Sequence, residues 1–284
     1  MNTDKVGGCL WGMAVGDALG LPAEGLTAAR RASLFGEIES HRLFFGRGVV
    51  SDDTEHALLT YAAWQESNGE LVRFEHSLRK KLMLWLVTLP PGVGLATLKA
   101  CLRMWLGFRK PGVFSAGNGP AMRAPLLGVL RVDRDWVDAS SRLTHTDPRA
   151  LEGAWAIAQA AAGHWPQATV DSVENGEIPP IGYISGFVEH TVPAALAISY
   201  RYRDDFPAAI HAAIALGGDT DTVAAIVGGI VGARVGISGI PEAWRRGIIG
   251  TTPNNPSLFV MALTHAFALP IILAHGFRRL LPPY

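Results

Sequence analysis

Gly217-Gly218-Asp219-Thr220-Asp221-Thr222, followed by the apolar run at 223–235, is the stretch on which the fold of this chain turns. The run is rich in Ala, Val, Ile and Gly, and it is too long for an ordinary strand, so it reads as a buried helix. Asp and Thr at its entrance are residues that favour helix starts. A second acidic cluster, Ser51-Asp52-Asp53-Thr54, precedes a helical pattern expected to begin near Glu55, in which Ala57, Leu58, Tyr61 and Ala62 share one face. Helical composition recurs at 71–89, 95–107, 119–130, 150–163, 192–202, 206–216 and 220–235. Turn clusters at Pro90-Pro91-Gly92, Pro111-Gly112 and Pro179-Pro180 separate these segments. Strand alternation is almost absent. The expected architecture is all-α: one compact orthogonal helical bundle over residues 1–250, with 251–284 as a C-terminal helical appendage packed on it.

The 284 residues are 49% apolar, enough for a sizeable core, and carry 25 basic and 25 acidic side chains. A formal charge of zero without basic runs disfavours nucleic acid as an obligate partner. Cys9 and Cys101 lie in apolar helical patterns and read as buried thiols rather than a disulfide. No secretory signal is evident, and the cytoplasm is the expected location. Residues 258–277 carry no formal charge and have the length of a membrane span, but Pro270, His265 and His275 interrupt them. Two short buried helices hinged at Pro270 fit that composition better, and no membrane is expected. Trp85, Trp105, Trp155 and Trp165 fall within helical segments and read as packing residues.

The two acidic clusters admit two readings. One cap accounts for one Ser or Asp at each helix start, leaving the other acids solvated. Alternatively, four carboxylates converging from two helix starts share a pair of hard divalent cations, which take oxygen ligands. Zinc fits less well, because neither the cysteines nor the histidines have zinc-ligand spacing. Gly20 and Pro22 stop the first helix, so Glu24 falls on a loop, either as a solvated acid or within reach of a ligand. In Gly117-Asn118-Gly119-Pro120-Ala121-Met122 the small residues allow close backbone approach, and Pro120 suits a helix start. His145 precedes another helix start at Pro148, and Phe187 follows a Ser-Gly turn. Each of these four features also has an ordinary structural explanation as a turn, a hydrogen-bonding His or a core aromatic. No Gly-x-Ser-x-Gly elbow or dinucleotide fingerprint is present.

In order along the chain, GMAVGDALGLPAEG, VSDDTEHALL, GNGPAMR, THTDPRA, SGFVEHTVPAAL and GGDTDTVAAIVGGIVGA resemble the ADP-ribosylglycohydrolase family, from about residue 7 to about 236. The resemblance implies an all-α hydrolase with a binuclear Mg²⁺ or Mn²⁺ centre held by Ser51, Asp52, Asp53, Asp219, Asp221 and Thr222. Ser51 stands where the family more often has Thr. The resemblance makes Glu24 the acid that gates the site and takes part in acid/base chemistry, and it adds Asp52, Asp53, Asp219 and Asp221 to the catalytic set. It assigns Gly117, Asn118, Gly119 and Met122 to a diphosphate and ribose loop, His145 to a phosphate or ribose contact, and Phe187 to the vicinity of the adenine. The implied partner is an ADP-ribosylated protein or small molecule, with ADP-ribose as product. The alternatives are a non-catalytic ADP-ribose binder and a metal-dependent hydrolase of another nucleotide-derived substrate. Arginine-specific members carry an Asp where this chain has Gly92 and an Asn where it has Leu95, so the resemblance does not extend to arginine specificity. It assigns nothing after about residue 250.

Overall fold

The computed structural model describes residues 3–176 and 183–267. The helices are α1 (Thr3–Gly20), α2 (Ala28–Phe35), α3 (Asp52–Glu66), α4 (Leu71–Val87), α5 (Leu95–Trp105), α6 (Gly119–Val129), α7 (Arg134–Arg142), α8 (Pro148–Ala161), α9 (Gln167–Glu174), α10 (Val188–Arg201), α11 (Phe206–Ala215), α12 (Thr220–Val235) and α13 (Glu242–Gly247). A further helical stretch, α14, covers Leu258–Phe267. The β structure among the described residues is one small antiparallel pair, β1 (Leu26–Thr27) with β2 (Gly217–Gly218), plus isolated bridges. The all-α expectation holds.

At the centre, α1 and α12 lie backbone against backbone. Gly8, Gly12, Gly16 and Gly20 recur every fourth residue and so form one face of α1. A Cβ on Gly12 would stand 2.0 Å from the Gly228 carbonyl oxygen, and one on Gly16 would stand 2.0 Å from that of Ala224. Gly8 and Gly20 meet the carbonyls of Gly232 and Thr220 in the same way. The contacts descend α12 as they ascend α1, so the two helices are antiparallel. The C-terminal end of α1, carrying Asp17, is thereby set beside the N-terminal end of α12, carrying Asp221. Small-residue faces permit this approach because no side chain keeps the backbones apart. Around the pair pack α3, α6, α8, α10 and α11, and the core they share with α1 includes Met13, Leu19, Leu126, Leu127 and Phe206, all at most 1% exposed.

Thr3–Ala23 is long and apolar enough to cross a membrane, but 89% of that window is buried inside the protein, as befits a central core helix. Cys9 and Cys101 are free and buried. Of the suspected span, Leu258–Phe267 is helical with Met261 and His265 buried. Pro270 and His275 lie outside the described residues, as do Pro179 and Pro180.

Several expectations need correction. Helix α3 starts at Asp52 rather than near Glu55: Ser51 caps it by accepting from the Asp53 amide, and a buried carboxylate on α1 accepts from the Thr54 amide. Trp105 is half exposed and does not pack in the core, donating instead to the Met83 carbonyl. Helices α2 and α9 lie outside the expected helical segments; each is eight residues long and buries no residue fully. In α10, Pro193 sits within a helix that begins at Val188, four residues before the expected start.

Candidate active site

One cavity of about 640 Å³ collects side chains from the ends of many elements. Glu24, Ser51, Asp52, Asp53, Gly117, Asn118, Gly119, Met122, His145, Phe187, Asp219, Asp221 and Thr222 all line it. These residues are scattered from 24 to 222 in sequence, and the fold brings every one of them to the same hollow.

The β1–β2 pair builds one side. Leu26 pairs with Gly218, and the Gly25 amide donates to the Gly218 carbonyl at 2.7 Å, which fastens the Glu24 loop beside Asp219. Gly218 has φ +82°, and a Cβ there would lie 2.0 Å from the Ile184 carbonyl oxygen, so only glycine fits. The Asp219 amide donates to the same Ile184 oxygen at 2.7 Å. We expect Gly218→Ala to part this junction and abolish turnover while helical content stays close to wild type, as circular dichroism beside an activity assay will show.

Asp17 builds the other side. Fully buried, it accepts hydrogen bonds from the Ser51 amide at 2.9 and 3.0 Å, the Thr54 amide at 3.2 Å and the Thr54 hydroxyl at 2.5 Å. A carboxylate from α1 thus satisfies open amides of α3, the role a local cap ordinarily plays. Burial pushes the Asp17 carboxyl up to about 7 despite these opposing hydrogen bonds. No local pattern gives Asp17 a role. Its partners are far off in sequence, and only its place at the end of the glycine face of α1 hinted at one.

On the floor, Asp53 Oδ2 accepts from Ser51 Oγ at 3.1 Å and from Thr222 Oγ1 at 3.2 Å, linking the two clusters directly. Asp219 makes no capping hydrogen bond to α12; its Oδ2 instead accepts from Asn118 Nδ2 at 2.6 Å. Capping therefore explains Ser51, which accepts from the Asp53 amide, but not the remaining acids. Burial first, then mutual repulsion, raises Asp52, Asp53 and Asp221 well above the usual carboxylate range. Glu24 and Asp219 both contribute to that repulsion at Asp52 and at Asp221.

Buried Oδ1 atoms of Asp53 and Asp221 have no hydrogen-bond partner. Two orphaned carboxylate oxygens, with hydroxyls of Ser51 and Thr222 beside them, are the donor set that hard divalent cations take. Among the described residues no group of three or more His, Cys, Asp or Glu is already drawn tightly enough to hold an ion. The fit of these residues to a divalent cation therefore lies in the chemistry of the donor set and in the unsatisfied Asp53 and Asp221 oxygens.

The glycine loop has a different logic from the one its sequence suggests. A Cβ on Gly117 would lie 2.9 Å from His145 Nε2, and one on Gly119 would lie 2.8 Å from His145 Cε1. Much of the room left by these glycines is therefore taken by the His145 ring. Burial, and secondarily the Arg123 guanidinium, pushes His145 down to about 3, so the ring is neutral. Arg123 donates to Thr144 Oγ1 at 2.9 Å, and Thr144 Oγ1 lies 2.9 Å from His145 Nδ1. The Thr144 hydroxyl also donates to the Ser141 carbonyl at 3.4 Å, so Thr144 is held on both sides and fixes the orientation of the His145 ring. A neutral imidazole carries one donor and one acceptor nitrogen, and such a ring suits ribose hydroxyls or phosphate oxygens.

Phe187 pairs through its backbone with Gly117 and stands 53% exposed at the rim, with Phe114 at 75% and Tyr183 at 57%. These aromatic faces offer stacking surfaces for a planar ring. Phe114 and Tyr183 are isolated aromatics in loops and give no periodic signal in the sequence. Glu55 and His265 were missed as well. Glu55 is wholly buried, accepting from Trp85 Nε1 at 2.7 Å, and His265 lines the cavity from α14. Trp85, read as a packing residue, is buried and also serves as this donor.

The all-α bundle thus sets two acidic helix starts against a glycine loop and an aromatic rim around one cavity. The sequence pattern of the ADP-ribosylglycohydrolase family matches residues 2–258, and the chain belongs to that family. It is similar to the ADP-ribosyl-[dinitrogen reductase] glycohydrolase of Rhodospirillum rubrum, at 27% identity over 85% of this chain and 89% of the relative. It is also similar to the ADP-ribosylarginine hydrolase Tri1 of Pseudomonas putida, at 26% identity over 85% of this chain and 73% of that protein. Among solved structures, one described as an ADP-ribosylglycohydrolase-related protein complex superposes with a TM-score of 0.67 and 27% identity, covering 93% of this chain and 98% of its own.

Proposed function

We propose that this protein hydrolyses the C1″ linkage of an ADP-ribosylated substrate, using a pair of Mg²⁺ or Mn²⁺ ions. The observation that carries the reading is the single acid-floored cavity lined by all thirteen candidate residues. Ser51, Asp52, Asp53, Asp219, Asp221 and Thr222 would hold the ions. Bound there, the cations would offset the carboxylate charge and act as Lewis acids toward substrate oxygens. The chain's own groups do the rest. The His145 ring and the Asn118 loop bind and orient phosphate or ribose. Phe187 stacks on the base. Carboxylates on the floor stabilise the positive charge that develops at the anomeric carbon as the bond breaks. Retention of every acid favours turnover over mere binding of ADP-ribose.

Glu24 lines the same cavity from its loop and supplies an acid that can exchange a proton with the reacting groups. Glu24→Gln should lower kcat by about 10²-fold or more while the affinity for ADP-ribose changes little, as expected of an interaction made in the transition state. Steady-state kinetics beside calorimetric titration with ADP-ribose decides this; a collapse of affinity with kcat intact would make Glu24 a binding residue.

The leaving group is proposed to be smaller or less basic than arginine, such as a serine oxygen, an O-acetyl ester or a nucleobase nitrogen. Gly92, Gly94, Leu95 and Thr97 line that wall without an acid, and Lys99 beside them is a cation. A guanidinium is held best by a carboxylate accepting two parallel hydrogen bonds. Gly92 has φ +78° with open space where a Cβ would stand, and Asp tolerates that backbone better than most residues. Gly92→Asp is therefore expected to improve kcat/KM for arginine-linked ADP-ribose relative to serine- and acetyl-linked substrates. A wild type that already prefers arginine tenfold would refute this assignment.

A further inference from the structure

Beyond residue 258, where the family match ends, α14 returns to the cavity and contributes His265, which is buried and lines it. His265 Nε2 lies 2.9 Å from Glu55 Oε2 and 3.1 Å from Oε1, on the same first turns of α3 that carry Asp52 and Asp53. Its Nδ1 lies 3.0 Å from Thr88 Oγ1 and 3.2 Å from the Thr88 carbonyl. Thr88 caps α4 and leads into the turn at Pro90-Pro91-Gly92, which forms the leaving-group wall. Glu55 is fixed from two further directions, by Trp85 Nε1 at 2.7 Å and Thr251 Oγ1 at 3.3 Å.

We propose that His265 is a positioning residue, a clamp that ties the wall at 88–95 to the acid-bearing start of α3 and so sets the distance between leaving group and acids. Both ring nitrogens are engaged by protein atoms, so the ring bridges two parts of the site rather than reacting with substrate. Misplacement of about 1 Å in such a frame is enough to cost a large factor in rate. The inference rests on the hydrolytic reading of the cavity for its effect on rate, but not for its effect on the wall.

The test uses the full chain and two readouts. In His265→Ala, hydrogen exchange at the amides of Thr88, Leu89 and Leu98 should quicken at least tenfold, while amides of α6 and α8 keep their wild-type rates. The kcat/KM for an ADP-ribosyl substrate should fall about tenfold, with the Kd for ADP-ribose within twofold of wild type. His265→Gln keeps a donor for Glu55 but releases Thr88, and is expected to show the same fast exchange at an unchanged melting temperature. Imidazole should restore turnover to His265→Gly, and Phe259→Ser, on the exposed face of α14, serves as control. Unchanged exchange at 88–98 in the Ala and Gln variants would overturn the clamp. So would a loss of ADP-ribose affinity in step with turnover. A wild type without turnover on any ADP-ribosyl substrate would count against the hydrolytic reading, and exchange would still decide the clamp.

Discussion

Replacing Asp53 by Asn is expected to abolish turnover, by about 10³-fold or more, and at the same time to raise the melting temperature of the metal-free protein. The two effects have one cause. Asp53 is buried at the floor of the cavity, one oxygen is unpaired, and the charges of Asp52, Asp17 and Asp219 press on it. A buried carboxylate in that position is costly by itself and is tolerated for what it can bind. An amide of the same shape removes the repelled charge, and with it the oxygen ligand a divalent cation needs. The variant should also show none of the Mg²⁺-dependent stabilisation expected of the wild type, since a ligand bound to the native state alone raises its stability.

The same groups fix the sign of the pH dependence. Asp17 is raised to about 7 from 3.8, and Asp52, Asp53 and Asp221 are raised with it. Unfolded, these carboxyls release their protons near 4, whereas folded they hold them to higher pH. Between those values the native state binds more protons, so the metal-free protein should lose stability as pH rises from about 4 through 7. Divalent cations should reverse the loss. Thermal melts in EDTA and in Mg²⁺ across that range will show whether the two curves diverge upward in pH, and parallel curves would contradict the account of the acid cluster.

Gly12→Ala is expected to have the largest effect on folding. Its added methyl would sit 2.0 Å from the Gly228 carbonyl oxygen, a backbone atom that cannot turn aside. Relief requires α1 and α12 to separate along a contact in which both helices are buried for most of their length. Overpacking in a core costs roughly 1–3 kcal/mol, occasionally more, and backbone against backbone belongs at or above the upper end. Activity should fall further than stability, because the same contact sets Asp17 beside Asp221. Denaturant unfolding beside kinetics at a temperature where the variant remains folded separates the two losses. A variant with wild-type stability would mean that α1 and α12 do not meet through their glycines.

Features carried by local pattern were legible in the chain. Helix α12 begins at Thr220, where the Gly-Gly-Asp entrance to an apolar run indicated, and α1 ends at Gly20 before Pro22. The two acidic clusters and the glycine loop stood out because caps alone leave their extra residues unexplained. What escaped notice depends on contacts distant in sequence. Asp17 reaches Ser51 and Thr54 across a gap of more than thirty residues, and Glu55 meets His265 across 210. The four-residue glycine spacing of α1 has a partner only when the smooth face of α12 is set against it. Gly117 and Gly119 illustrate the converse: small residues signal that something comes close, but the chain alone did not say that it was His145.

The central claim is that cations gathered by Asp52, Asp53, Asp219 and Asp221 make this cavity a hydrolase of ADP-ribosyl linkages. Its most direct test is the release of free ADP-ribose from serine-, arginine- and acetyl-linked substrates, with the protein stripped by EDTA and then resupplied with Mg²⁺ or Mn²⁺. The account predicts no release from the stripped protein, recovery on adding either ion, and no recovery in Asp53→Asn. Full activity in excess EDTA, or release by Asp53→Asn at the wild-type rate, would contradict it.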